Sequence, residues 1–126
     1  MADAVAQKPI LIVEDKDNIR NLLSINLKAR GYKTHCVGSA EEALAVLSEQ
    51  APGLMLLDIS LPGMTGWELL SVIKEKALNT NLRVVVITGT PPTAQETKQH
   101  DNVVDVIVKP ILIERFISAV EQALNG

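Results

Sequence analysis

Aromatic residues are almost missing from this chain: one Phe, one Tyr and one Trp among 126 residues. Since 47% of the residues are apolar, the core has to be built from Leu, Ile, Val and Ala. A single cysteine, Cys36, excludes an internal disulfide and fits a reducing compartment. There is no basic excess either. A net charge of -3 offers no electrostatic footprint for nucleic acid or an anionic membrane. The apolar runs are far too short to cross a bilayer. Residues 1–8 (MADAVAQK) lack the basic start and apolar stretch of a secretory signal and read as a loose tail. What remains is a small cytoplasmic protein, with residues 9–126 forming one domain around one core.

Short apolar runs bounded by turn residues alternate with segments of helical period, which points to βαβ units and an α/β fold with a parallel sheet. Strands are expected near 9–13, 32–37, 53–57, 82–87 and 103–108. The first helix starts near Asp17, buries Ile19, Leu22, Leu23 and Leu27, and stops before Gly31, which suits a left-handed cap. Ser39 with Glu42, and Thr65 with Glu68, read as capping boxes opening the second and third helices. The third buries Leu69, Leu70 and Ile73, and a last helix carries the stripe Ile113, Phe116, Ile117, Val120 and Leu124. Between 93 and 100 (TAQETKQH) there is no large apolar residue, so a fourth helix there is expected to be weak or atypical. Cys36 is expected in the core, and His35 and His100 at the surface.

The chemistry lies where the apolar runs end. Ile10–Val13 leads into Glu14-Asp15, Leu54–Leu57 into Asp58, Val84–Ile87 into Thr88, and Val106–Val108 into Lys109-Pro110. Parallel strands place these ends on one edge of the sheet. Three carboxylates a few ångströms apart raise one another's pKa and destabilise the fold unless a cation joins them. Mg2+ suits such a site, because it keeps several waters and still accepts phosphate oxygens. With Lys109 as a positive charge and Thr88 as a hydroxyl donor, the set forms a phosphoryl-transfer site in which Asp58 is the nucleophile.

Glu14-Asp15, Asp58 followed by Leu61-Pro62 and Gly66, Thr88, and Lys109-Pro110, in this order and spacing, resemble the receiver domain of bacterial two-component response regulators. The likeness covers about 9–125. It implies a flavodoxin-like, doubly wound sheet of five strands in the order 2-1-3-4-5, flanked by helices. It implies that Asp58 takes a phosphoryl group from a sensor histidine kinase or histidine phosphotransfer protein, with an unknown protein downstream. By the same resemblance Asp15, the Asp58 carboxylate and the Ser60 backbone carbonyl ligate Mg2+, with Glu14 acting through water. Thr88 and Lys109 contact the phosphoryl oxygens, and Lys109-Pro110 is a cis peptide.

The chain also departs from the family's pattern. Val106 stands where receivers usually carry Tyr or Phe, which places the switch at Thr88 with no aromatic behind it. His100-Asp101-Asn102-Val103-Val104 replaces the usual small residues before the fifth strand. The alternative to a phosphorylatable switch is a pseudo-receiver that binds a protein constitutively. A hydrolase of the haloacid-dehalogenase type is disfavoured, because Ser60 stands where that class needs a second Asp. Stand-alone receiver and piece of a larger regulator remain equally open.

Overall fold

A computed structural model describes residues 8–78 and 81–125. The tail expected over residues 1–8 lies outside the described residues except for Lys8. Five strands, β1 (Ile10–Val13), β2 (Thr34–Val37), β3 (Leu54–Asp58), β4 (Arg83–Thr88) and β5 (Val103–Val108), form one parallel sheet in the order β2-β1-β3-β4-β5. The helices between and after them are α1 (Asp17–Ala29), α2 (Ala40–Glu49), α3 (Gly66–Glu75), α4 (Ala94–Lys98) and α5 (Ile113–Asn125). The parallel sheet is what the alternating pattern implies, and its doubly wound order is the one that the resemblance implies. No helix among the described residues is long and apolar enough to cross a membrane.

The central strands β1 and β3 are buried at every position because both faces of the sheet are covered. Alternate residues still face opposite sides. Leu11, Val13, Met55, Leu57, Val84 and Val86 pack beneath α2 and α3, against Ala43, Leu47, Leu69 and Ile73. Ile10, Ile12, Leu54, Leu56, Val85 and Ile87 pack beneath α1 and α5, against Leu23, Leu27, Phe116 and Val120. Phe116 is the one fully buried ring, so aliphatic packing carries both layers.

Helix ends follow local chemistry. After α1, Gly31 (φ +88) donates to Lys28 O and Tyr32 to Leu27 O, a Schellman closure with glycine at the left-handed position. The end of α3 repeats it, with Ala77 donating to Lys74 O and Leu78 to Ile73 O. Here the left-handed residue is alanine (φ +53), whose Cβ makes that conformation costly. Thr65 and Glu68 form the expected capping box, and the Ser39 hydroxyl caps α2.

Several expectations need correcting. Leu22 is 43% exposed, because α1 turns only the Leu23–Leu27 side and Ser24 toward the sheet. Cys36 is exposed, since β2 is an edge strand that the helices cover incompletely. His100 is buried, 7% exposed, because Trp67 of α3 stacks on it. Helix α4 is a five-residue element that buries nothing, as the lack of apolar residues predicts, yet Thr93 and Glu96 give it a full capping box.

Candidate functional site

The register of the sheet gathers the polar strand ends. Val13 pairs with Leu57, so Glu14 and Asp58 fall at adjacent positions on neighbouring strands. Asp58 pairs with Ile87 and Thr88 with Val108, which sets Thr88 and Lys109 one step further along the same edge. Lys109 is tied there by its amide, which donates to Thr88 O at 2.8 Å. Its peptide bond to Pro110 is cis.

Ligand oxygens of Glu14, Asp15 and Asp58 all lie within 4.8 Å of one another. Glu14 and Asp58 are each 1% exposed. Among the described residues one cation is paired with these carboxylates: Lys109 Nζ lies 3.4 Å from Asp58 Oδ2 and 3.5 Å from Glu14 Oε1. It does not suffice. Burial first, and then contact with the Asp58 carboxyl, push the Glu14 carboxyl from its ordinary value up to about 7.

The hydrogen bonds leave specific oxygens open. Asp58 Oδ1 accepts from the Ser60 amide at 3.0 Å, and Glu14 Oε2 from the Lys16 amide at 3.2 Å. Glu14 Oε1 and Asp15 Oδ1 are buried and accept no hydrogen bond among the described residues. Ile59 O accepts from both Leu61 and Gly66, while no bond to Ser60 O occurs among the described residues. Clustered carboxylate oxygens, two of them buried without a hydrogen bond among the described residues, are a donor set for a hard divalent ion. The residues present therefore fit Mg2+, and they would hold it as a partly hydrated ion.

Thr88 is buried at the end of β4, but its hydroxyl is turned into its own loop, donating to Thr90 O (3.0 Å) and accepting from the Thr90 amide (3.1 Å). Val106 is half-buried in β5. Its amide donates to Asp105 Oδ1, and Arg115 Nη2 of α5 donates to its carbonyl. Arg115 also grips Asp105 through both carboxylate oxygens, at 2.9 and 3.0 Å, and this pairing holds the Asp105 carboxyl below its ordinary value.

Sequence reasoning missed two contributors. Arg20 donates to Glu14 O at 2.9 Å and pairs with Asp17, which anchors the loop carrying Glu14 and Asp15. Its helical spacing from Asp17 was the available signal. Gly66 was noted only as a motif residue. A Cβ there would lie 2.8 Å from Ile59 Cα and 3.0 Å from Asp58 O, so α3 sits directly on the Asp58 loop.

A family model described as the response regulator receiver domain matches residues 10–121. The chain belongs to that family. It is 34% identical over 117 residues to sporulation initiation phosphotransferase F of Bacillus subtilis, covering 91% of this chain and 92% of that protein. It is 30% identical over 116 residues to the regulatory protein AtoC of Escherichia coli, covering 92% of this chain but only 25% of that longer relative. Among solved structures, response regulator TrrA of Thermotoga maritima in complex with Mg2+ and BeF is similar, with 26% identity and a TM-score of 0.80. That match covers 93% of this chain and 99% of the other. A receiver is a signalling switch, not a metabolic enzyme: it is phosphorylated on an aspartate, with Mg2+ at its acidic cluster.

Proposed function

We propose that Asp58 is the phosphoacceptor and that the donor is the phosphohistidine of a sensor histidine kinase or histidine phosphotransfer protein. The phosphorylated chain would then change its contacts with a downstream protein in a cytoplasmic two-component phosphorelay. The observation that carries this reading is the buried Asp58 carboxylate, 3.4 Å from Lys109 Nζ and clustered with the carboxylates of Glu14 and Asp15. In transfer, an Asp58 oxygen attacks phosphorus while the phosphorus–nitrogen bond breaks, and its electron pair leaves on the donor imidazole. Asp15, Asp58 and the Ser60 carbonyl would hold the ion, with Glu14 acting through water. When bound, Mg2+ supplies positive charge to the transferring phosphoryl oxygens. Lys109 supplies a second positive charge from the protein. Thr88 donates to a phosphoryl oxygen once it releases Thr90 O. Attack of water on phosphorus later returns the carboxylate and inorganic phosphate.

The test is intact mass after incubation with acetyl phosphate and Mg2+. One phosphoryl group should add to the wild type and none to Asp58→Asn. No adduct on the wild type, in the presence of Mg2+ and a working donor control, would leave the constitutive pseudo-receiver as the reading.

A further inference from the structure

A phosphorylation signal leaves the site only through an element with two arrangements that the phosphoryl group favours unequally. β5 is poorly suited to supply it at Val106. That side chain is β-branched and stiff, its amide and carbonyl are both bonded, and the Arg115–Asp105 pair fastens the strand to α5.

A different contact leads from the site through α3 to α4 and the start of β5. Gly66, the first residue of α3, donates its amide to Ile59 O at 3.0 Å and abuts Ile59 and Asp58 O. Displacement of the Asp58 loop therefore moves the start of α3, and Trp67 is the next residue. Its ring stacks on His100, with centroids 5.5 Å apart and planes inclined by 16°. His100 in turn joins two elements: its amide donates to Thr97 O of α4, and its carbonyl accepts from Val103 at the start of β5. Burial, and next the charge of Lys74, hold the imidazole below its ordinary pKa, which leaves a neutral ring suited to stacking.

The ring has room to move. A cavity of about 210 Å³, lined also by Lys74, Leu78 and Asn102, borders His100. A second opening, lined also by Ser71, Glu96 and Gln99, borders both His100 and Trp67. Helix α4 buries no residue, so its own packing does not resist displacement.

Building on the receiver reading above, we propose that the Trp67–His100 stack is the two-state element that carries the state of Asp58 to α4 and the start of β5. The phosphoryl group shifts the Asp58 loop, Gly66 passes the shift to Trp67, and the stack slides or opens into the adjoining space. His100 then moves its backbone partners Thr97 and Val103. The output face is thereby centred on the seam between α3 and α4, with Val106 a spectator.

The experiment follows the amides of Thr97 and Val103, the His100 ring and Trp67 emission in Mg2+, with and without beryllofluoride. Bound fluoride is counted separately by fluorine NMR. In the wild type all four signals should change as the adduct forms. In His100→Ala the adduct should form as before, while the changes at Thr97 and Val103 fall about threefold or more, the scale a single coupling side chain carries. His100→Phe, which restores a ring, should recover them. If His100→Ala is poorly folded, Trp67→Leu removes the other half of the stack and makes the same prediction. Full responses at Thr97 and Val103 in a folded variant that lacks the stack would overturn the proposal while leaving the receiver reading intact. Absence of any adduct on the wild type would remove the receiver reading and this inference together.

Discussion

Replacing Glu14 by Gln keeps the shape of a side chain that is 1% exposed and removes its charge. In the metal-free protein the Glu14 carboxyl is raised from 4.5 to about 7, by burial and then by the Asp58 carboxyl beside it. Between those two values the folded state binds more protons than the unfolded state. The contribution is therefore fully present below about 4.5 and is lost as pH rises through about 7. At ~1.4 kcal/mol per pKa unit, ionising Glu14 in place costs at most ~3 kcal/mol. Glu14→Gln avoids that cost. Its stability should approach that of the wild type at pH 4 and exceed it by up to ~3 kcal/mol at pH 8, a melting difference on the order of 10 °C. Saturating Mg2+ should shrink or reverse the difference at pH 8, because the ion stabilises the wild type by mass action and meets a poorer site in the variant. Thermal melts of both proteins from pH 4 to 8, with EDTA or Mg2+, decide it. Parallel curves in EDTA would refute the argument that Glu14 is protonated at the expense of the fold's stability.

Asp15→Asn should abolish most of the Mg2+-dependent change in Trp67 fluorescence, and an unchanged titration would remove Asp15 from the metal site. Lys109→Ala leaves Glu14 and Asp58 without their cation, so metal-free melting should drop by ~1–3 kcal/mol while Mg2+ binding persists. Its chemical-shift response to beryllofluoride should be lost, and a wild-type response would contradict the role of Lys109. Gly66→Ala gains helix propensity but places a Cβ 2.7 Å from Ile59 Cδ1 and 2.8 Å from its Cα. The clash should win, with a loss of ~1–3 kcal/mol by denaturant unfolding and a slower phosphoryl uptake. Ala77→Gly relieves the left-handed alanine at φ +53 and should stabilise by up to ~1 kcal/mol, since the relief outweighs glycine's extra unfolded-state entropy. A clear loss would mean that the Ala77 methyl packs usefully.

Much of this molecule is legible in its sequence. The strand ends at Glu14, Asp58, Thr88 and Lys109 were readable because each is a polar residue closing an apolar run, and a parallel sheet converts that pattern into a shared edge. The stop at Gly31 and the start at Thr65 were readable because caps depend on residues three or four apart. The capping box of Thr93 and Glu96 was not read from the sequence, although it has the same spacing as that of Thr65 and Glu68; its local hydrogen bonds suffice for the short, unburied α4.

The sequence by itself determined the order of elements, the apolar faces and the polar residue closing each strand, because these rest on contacts along the chain or on the two-residue period of a strand. Only the tertiary structure decided what lies over an edge and what meets across elements. Cys36 was left exposed on β2, and His100 was buried beneath Trp67. Val106 was fastened by Arg115, and Gly66 was pressed against Ile59. None of these contacts has a period or a spacing to reveal it, since burial depends on which distant surface arrives to cover a residue.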